Sequence, residues 1–244
     1  MKNFTADASL KRTVKVAGLM FLCSLLVPLL NWIFVLSIFI SAESPINTAR
    51  NILANELLFG AGIMNELITS VILAVLAMAL YFILKPVNKN FALLALSLKL
   101  IEAILWAVIA LGHFIALMIL KEQVSLTAIE SEQLQAFIGL FLNVHISVTA
   151  VPGLFSGLNL LIFSYLLYRS EFVPGLLAGF GVLSYTLVVL YDSLTILSPE
   201  YTTMLIMQII CCAPICIFQL IIGIWLCFKG GNFQSQGNTV PVLP

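Results

Sequence analysis

The chain has 244 residues, of which 61% are hydrophobic and only 9% charged, and its formal net charge is zero. A soluble domain carries about a quarter charged residues, so this much apolar side chain exceeds what one soluble core of that size encloses, whereas a bilayer supplies the missing apolar neighbours. The charge balance leaves no basic footprint for nucleic acid, and the sequence reads as an all-α membrane protein whose first partner is the lipid bilayer.

A polar segment, residues 1–15, is expected as a cytoplasmic N-terminal tail. Six apolar runs follow, at about 16–40, 61–84, 91–120, 136–168, 173–197 and 203–228, each meeting the need for roughly 20 mostly apolar residues. The first run is too long for the apolar region of a cleaved signal peptide, about 7–15 residues, so it reads as a retained helix. Bulky Phe21 and Leu22 ahead of Cys23 make that cysteine a poor lipidation site. Between the first two runs, residues 42–59 predict a short helix from Thr48 that lies on the membrane surface or extends the second span. The third and fourth runs are longest and are expected to tilt or protrude. Short polar turns at 85–90, 169–174 and 198–200 join the other spans, and 121–135 forms a longer acidic connection. The six-helix domain covers 16–229. The tail 230–244, rich in Gly, Asn, Gln and Ser, is expected to be disordered.

Lys and Arg placement sets the orientation. With the N-terminus inside, Lys2, Lys11, Arg12, Lys15, Lys85, Lys89, Arg169 and Lys229 are cytoplasmic, against Arg50 and Lys121 outside. The expected architecture is a six-transmembrane-helix bundle with both termini in the cytoplasm (N-in/C-in). Tyr81, Tyr168 and Trp225 then fall at the inner interface, where aromatic belts form. The two halves show no match that marks an inverted repeat.

Helical rise places several polar residues deep in the membrane. Lys99 stands ten residues from Lys89, Asn159 ten from Arg169, Gln219 ten from Lys229 and Tyr185 ten from Gly175, each about 15 Å from the boundary. Glu102 follows Lys99 by three residues, the spacing of an ion pair on one helix face. Each charge costs about 2.5–3.5 kcal/mol at the centre of a bilayer, so the layer Lys99, Glu102, Asn159, Tyr185 and Gln219 is either a site for a small molecule or ion or a pin that fixes helix register. A second polar level holds Glu66, His113, His145 and Asp192, residue types that bind zinc and activate water on a metal. They come from four different spans, no HExxH pair is present, and ordinary interfacial polarity explains them as well. No GxSxG elbow supports serine catalysis.

Four of the five cysteines, Cys211, Cys212, Cys216 and Cys227, crowd the last run. They lack paired ligand spacing and read as small buried hydrophobes, so neither zinc nor any other cofactor is expected. Pro28, Pro152 and Pro214 predict kinks in three helices. Gly153–Gly157 and Gly175–Gly179 are GxxxG stripes that predict close packing of the fourth and fifth spans.

Three stretches carry a family resemblance. They are Leu80–Lys89, with Tyr81, Phe82, Lys85 and Pro86; Phe91–Ala103, with Lys99 and Glu102; and Tyr165–Pro174, with Tyr168, Arg169 and Pro174. Together they resemble the domain-of-unknown-function 4386 family of multi-pass bacterial membrane proteins over most of the chain. The chain departs from the family pattern at Lys99, where Arg is usual, and at Gly175, where a basic residue is common. The resemblance implies a topology and a bacterial setting, and no activity. The leading reading is a non-enzymatic bundle that binds or conducts a small ligand or ion around Glu102. An intramembrane metal hydrolase and a purely structural subunit are the alternatives, and the sequence leaves substrate and oligomeric state open.

Overall fold

A backbone that crosses lipid must satisfy its own N–H and C=O groups, and separate apolar runs of this length do so as helices. The computed structural model describes residues 2–36, 39, 45–122, 148–170, 172–198, 200, 202 and 205–228. Within them the chain forms α1 (Lys2–Asn31), a π-helical turn (Trp32–Leu36), α2 (Pro45–Ala54), α3 (Glu56–Leu84), α4 (Lys89–Glu122), α5 (Ala150–Ser170), α6 (Gly175–Leu197) and α7 (Leu205–Phe228). No strand occurs among the described residues. All of these helices except α2 are long and apolar enough to cross a membrane, which makes six spans with mean hydropathy of 1.6 to 2.7. The protein is therefore an all-α, six-span membrane protein.

Helix ends follow from local chemistry. Pro86 lacks an N–H and stops α3, and Asn88 then caps α4 by accepting the Phe91 N–H at 3.0 Å. Ser170 accepts the Phe172 N–H at 3.2 Å, and Pro174 stands at the start of α6. At its N-terminus α1 is helical from Lys2, so the residues ahead of the first span continue its helix. The short helix expected near Thr48 is α2. It is separate from α3 and docks on the bundle through Ala49 and Ile52, both fully buried.

The spans pack in chain order, α1 on α3, then α4, α5, α6 and α7, and α7 closes the ring on α1. The closing contact is made at glycine: a Cβ on Gly18 would stand 2.8 Å from the Gly223 carbonyl and the Cys227 amide. Gly157 packs against Val189 of α6 in the same way. The second expected stripe is corrected by the structure, because Gly179 faces open space and Gly175 meets only the Tyr168 ring. Gly181 makes the close approach from α6, against Phe218 and Ser164. Of the expected kink sites, Pro28 and Pro214 lie inside helices, and the π-helical turn follows four residues after Pro28. Pro152 falls in the first turn of the described α5, three residues after the non-helical Thr149.

Two apolar cores result. One, toward the Lys85–Lys89 turn, includes Phe21, Leu80, Ala95, Phe163, Tyr185 and Phe218. The other, beneath α2, includes Phe39, Ile52, Phe59, Ala110 and Leu117. Along the buried face of α4 the first core ends at Ala95 and the second begins at Ala110. Polar side chains occupy the stretch between.

Candidate functional site

The buried face of α4 passes through Lys99, Glu102, Ala110 and His113. Lys99 and Glu102 meet because residues three apart on a helix share a face. Lys99 Nζ lies 2.9 Å from Glu102 Oε2, with the two residues only 1% and 3% exposed. Asn159, on α5 and completely buried, donates its side-chain N–H to the same Oε2 at 2.9 Å. Its amide nitrogen also donates to the Phe155 carbonyl one turn earlier. One carboxylate oxygen thus joins α4 to α5.

Charge and hydrogen bonding are not equally closed here. The Lys99–Glu102 pair carries no net charge, which offsets part of the cost of taking either ion out of water. Asn159 Oδ1, however, is buried and accepts no hydrogen bond among the described residues. Lys99 has three N–H donors, and Glu102 takes one of them.

Tyr185 and Gln219, the other expected members of this layer, form a second pair. Gln219 donates to the Tyr185 hydroxyl at 3.3 Å, linking α7 to α6. The Tyr185 ring meets Phe218 edge to face with centroids 5.6 Å apart. No hydrogen bond joins the two groups among the described residues, although Glu102 lies within electrostatic range of Tyr185.

The other level is divided. Glu66 Oε2 and His113 Nδ1 are 2.8 Å apart, both residues buried, so α3 and α4 are joined a second time. Asp192 stands apart from that pair, its carboxylate pressed against Gly153 between α5 and α6. His145 lies outside the described residues. Among the described residues, no group of three or more His, Cys, Asp or Glu side chains is arranged to hold a metal ion. The cysteines of α7 run from buried Cys211 to exposed Cys216.

Sequence reasoning passed over Asn31, Asn65, Thr69 and Ser70. Ser70 donates to the Ala103 carbonyl of α4 at 2.7 Å, and Thr69 donates to the Asn65 carbonyl. Asn31 and Asn65 each present a buried oxygen with no hydrogen-bond partner among the described residues. The available signal was a polar residue inside an apolar run, the same signal that marked Asn159. An apolar groove of about 450 Å³ between α3 and α4, lined by Ala74, Leu100, Ile104 and Val108 among others, runs beside this region without including Glu102.

Neither a curated protein nor a solved structure matches the chain. Residues 16–230 match the family model described as domain of unknown function (DUF4386), and a match over that much of the sequence means that the chain belongs to this family.

Proposed function

We propose that this chain is a bacterial plasma-membrane protein, with both termini in the cytoplasm, that binds a small polar solute or ion at the layer centred on Glu102. The orientation rests on the Lys and Arg bias, eight residues against two. The bacterial setting rests on the family resemblance. The binding role rests on one observation: Asn159 Oδ1, fully enclosed and next to the Lys99–Glu102 pair, has no hydrogen-bond partner among the described residues. A pin that only fixes helix register is cheapest when its hydrogen bonds are closed, because an open buried acceptor costs about 1–3 kcal/mol. An open acceptor beside an ammonium with spare donors suits a small guest that both gives and takes a hydrogen bond. Lys99, Glu102 and Asn159 would hold that guest, and Tyr185 and Gln219 would border it. The hydrolase reading has less support, since Glu66 and His113 meet but Asp192 does not join them.

Thiol labelling in a background with the five native cysteines replaced by Ala tests both parts. Asn159→Cys should react with a small charged methanethiosulfonate, because a binding site needs an aqueous path. A cysteine that stays unreactive from both sides of the membrane would sink the binding reading and leave a structural pin. Asn88→Cys, in the turn before α4, should stay unlabelled in intact cells and react in inverted vesicles, and the reverse would overturn the orientation.

A further inference from the structure

The level of His113 holds more than the Glu66–His113 contact. His113 follows Glu102 by eleven residues, about three helical turns, and so shares its face of α4. The His113 ring is fixed between the Glu66 carboxylate at 2.8 Å and the edge of Phe59, whose centroid is 6.1 Å away. Asn31 of α1 reaches the same place from the opposite side. It is only 4% exposed, and its Oδ1 lies where a Cβ on Gly62 would stand 3.2 Å from it. Gly62 precedes Asn65 by three residues and Glu66 by four, so the Asn31 amide enters the turn of α3 that carries both. Asn65 Oδ1 is buried as well, and neither amide oxygen has a hydrogen-bond partner among the described residues.

We infer that Asn31, Asn65 and Glu66 form a binding site for a monovalent alkali cation, with His113 as a positioning residue. The ligand set selects the class. Two amide oxygens and a carboxylate are hard donors that suit an alkali or alkaline-earth ion. His113 Nδ1, bonded to Glu66 Oε2, leaves the other carboxylate oxygen for the cation. Glu66 is the one acid among these four residues. A monovalent ion cancels its charge, whereas a divalent ion leaves an unbalanced positive charge within the membrane, which is costly. Zinc asks for several nitrogen or sulfur ligands, and only His113 supplies one among these four residues. Gly62 keeps the Asn31 oxygen in place, since a larger residue there would displace it. This site is distinct from the Glu102 layer and does not depend on the proposal made for it.

Binding of ²²Na⁺ to the purified full-length protein in detergent, in choline buffer free of other alkali ions, tests the inference by equilibrium dialysis. Saturable binding of about one sodium per chain is expected, weakened about tenfold or more by Asn31→Ala and by Asn65→Ala, in line with loss of a hydrogen-bonding ligand to a charge. Glu66→Gln should abolish it, while Ile104→Val, on the lipid face, should leave it unchanged. Gel filtration and helix content identify any variant that fails to fold, and the two Asn→Ala variants keep the test decisive if Glu66→Gln does. No saturable sodium binding to the native protein, or binding that survives both Asn→Ala changes, would overturn the inference. So would stoichiometric zinc in the purified protein that is lost in His113→Phe.

Discussion

The two buried carboxylate contacts on α4 are built from similar parts and closed to different degrees. Glu102 Oε2 serves Lys99 on its own helix and Asn159 on α5, so one oxygen ties a cation and an amide together. At the other level Glu66 meets His113 across α3 and α4 without an intrahelical partner. The Lys99–Glu102 pair is assembled before the helices meet, because its charges sit on one helix at i,i+3 spacing. The Glu66–His113 pair exists only once two helices have docked. A charge pair within one helix lowers the cost of inserting that helix, while a pair between helices contributes to holding the bundle together. The difference predicts unequal effects when each pair is opened.

The largest effect should follow Glu102→Leu. It leaves the Lys99 ammonium enclosed at 1% exposure with no partner and removes the link to Asn159. Breaking a buried pair from one side costs about 3–5 kcal/mol, and replacing both partners by apolar residues is often neutral. Lys99→Met together with Glu102→Leu should therefore recover most of the loss, because the Asn159 side chain keeps its bond to the Phe155 carbonyl. Reversible unfolding in mixed micelles measures both. A double variant as unstable as the single one would mean that Glu102 holds α5 rather than Lys99.

A smaller effect, about 1–3 kcal/mol for one unpaired buried partner, is expected from His113→Phe. The new ring keeps the edge contact with Phe59 and removes the bond to Glu66. A loss as large as that of Glu102→Leu would show that the Glu66–His113 pair is tied into further contacts and would erase the contrast between the levels.

How much of this was legible depended on whether the contact was local. The six spans follow from apolar run lengths, and the Lys99–Glu102 pair follows from its spacing on one helix. Depth by helical rise put Asn159 at the level of Glu102, where the structure places it. Depth alone gives no azimuth, so the same reasoning grouped Tyr185 and Gln219 with Glu102, although they bond to each other. It grouped Asp192 with Glu66 and His113, although Asp192 lies against Gly153. Glycine pattern misled for the same reason. Gly175 and Gly179 have the right spacing but face away from close neighbours, while Gly18, Gly181 and Gly223, which make tight contacts, form no motif. Asn31 and Asn65 went unread because single amides carry no pattern until another helix faces them.

The smallest effect tests where the Glu102 layer ends. Gln219→Leu removes a long hydrogen bond of 3.3 Å from a half-buried side chain. The Tyr185 ring should stay in place, because Phe218 packs its edge against it. Only the Tyr185 hydroxyl loses a partner, and a neutral buried hydrogen bond is worth about 0.5–1.5 kcal/mol. Tyr185→Phe combined with Gln219→Leu should cost less than Gln219→Leu alone, since both polar groups are then gone. Neither change should alter the energetic link between Glu102 and Asn159, measured as the coupling in a double-mutant cycle. A coupling that falls when Gln219 becomes Leu would mean that the Tyr185 hydroxyl takes part in the Glu102 network. The two pairs would then act as one polar layer spanning α4, α5, α6 and α7.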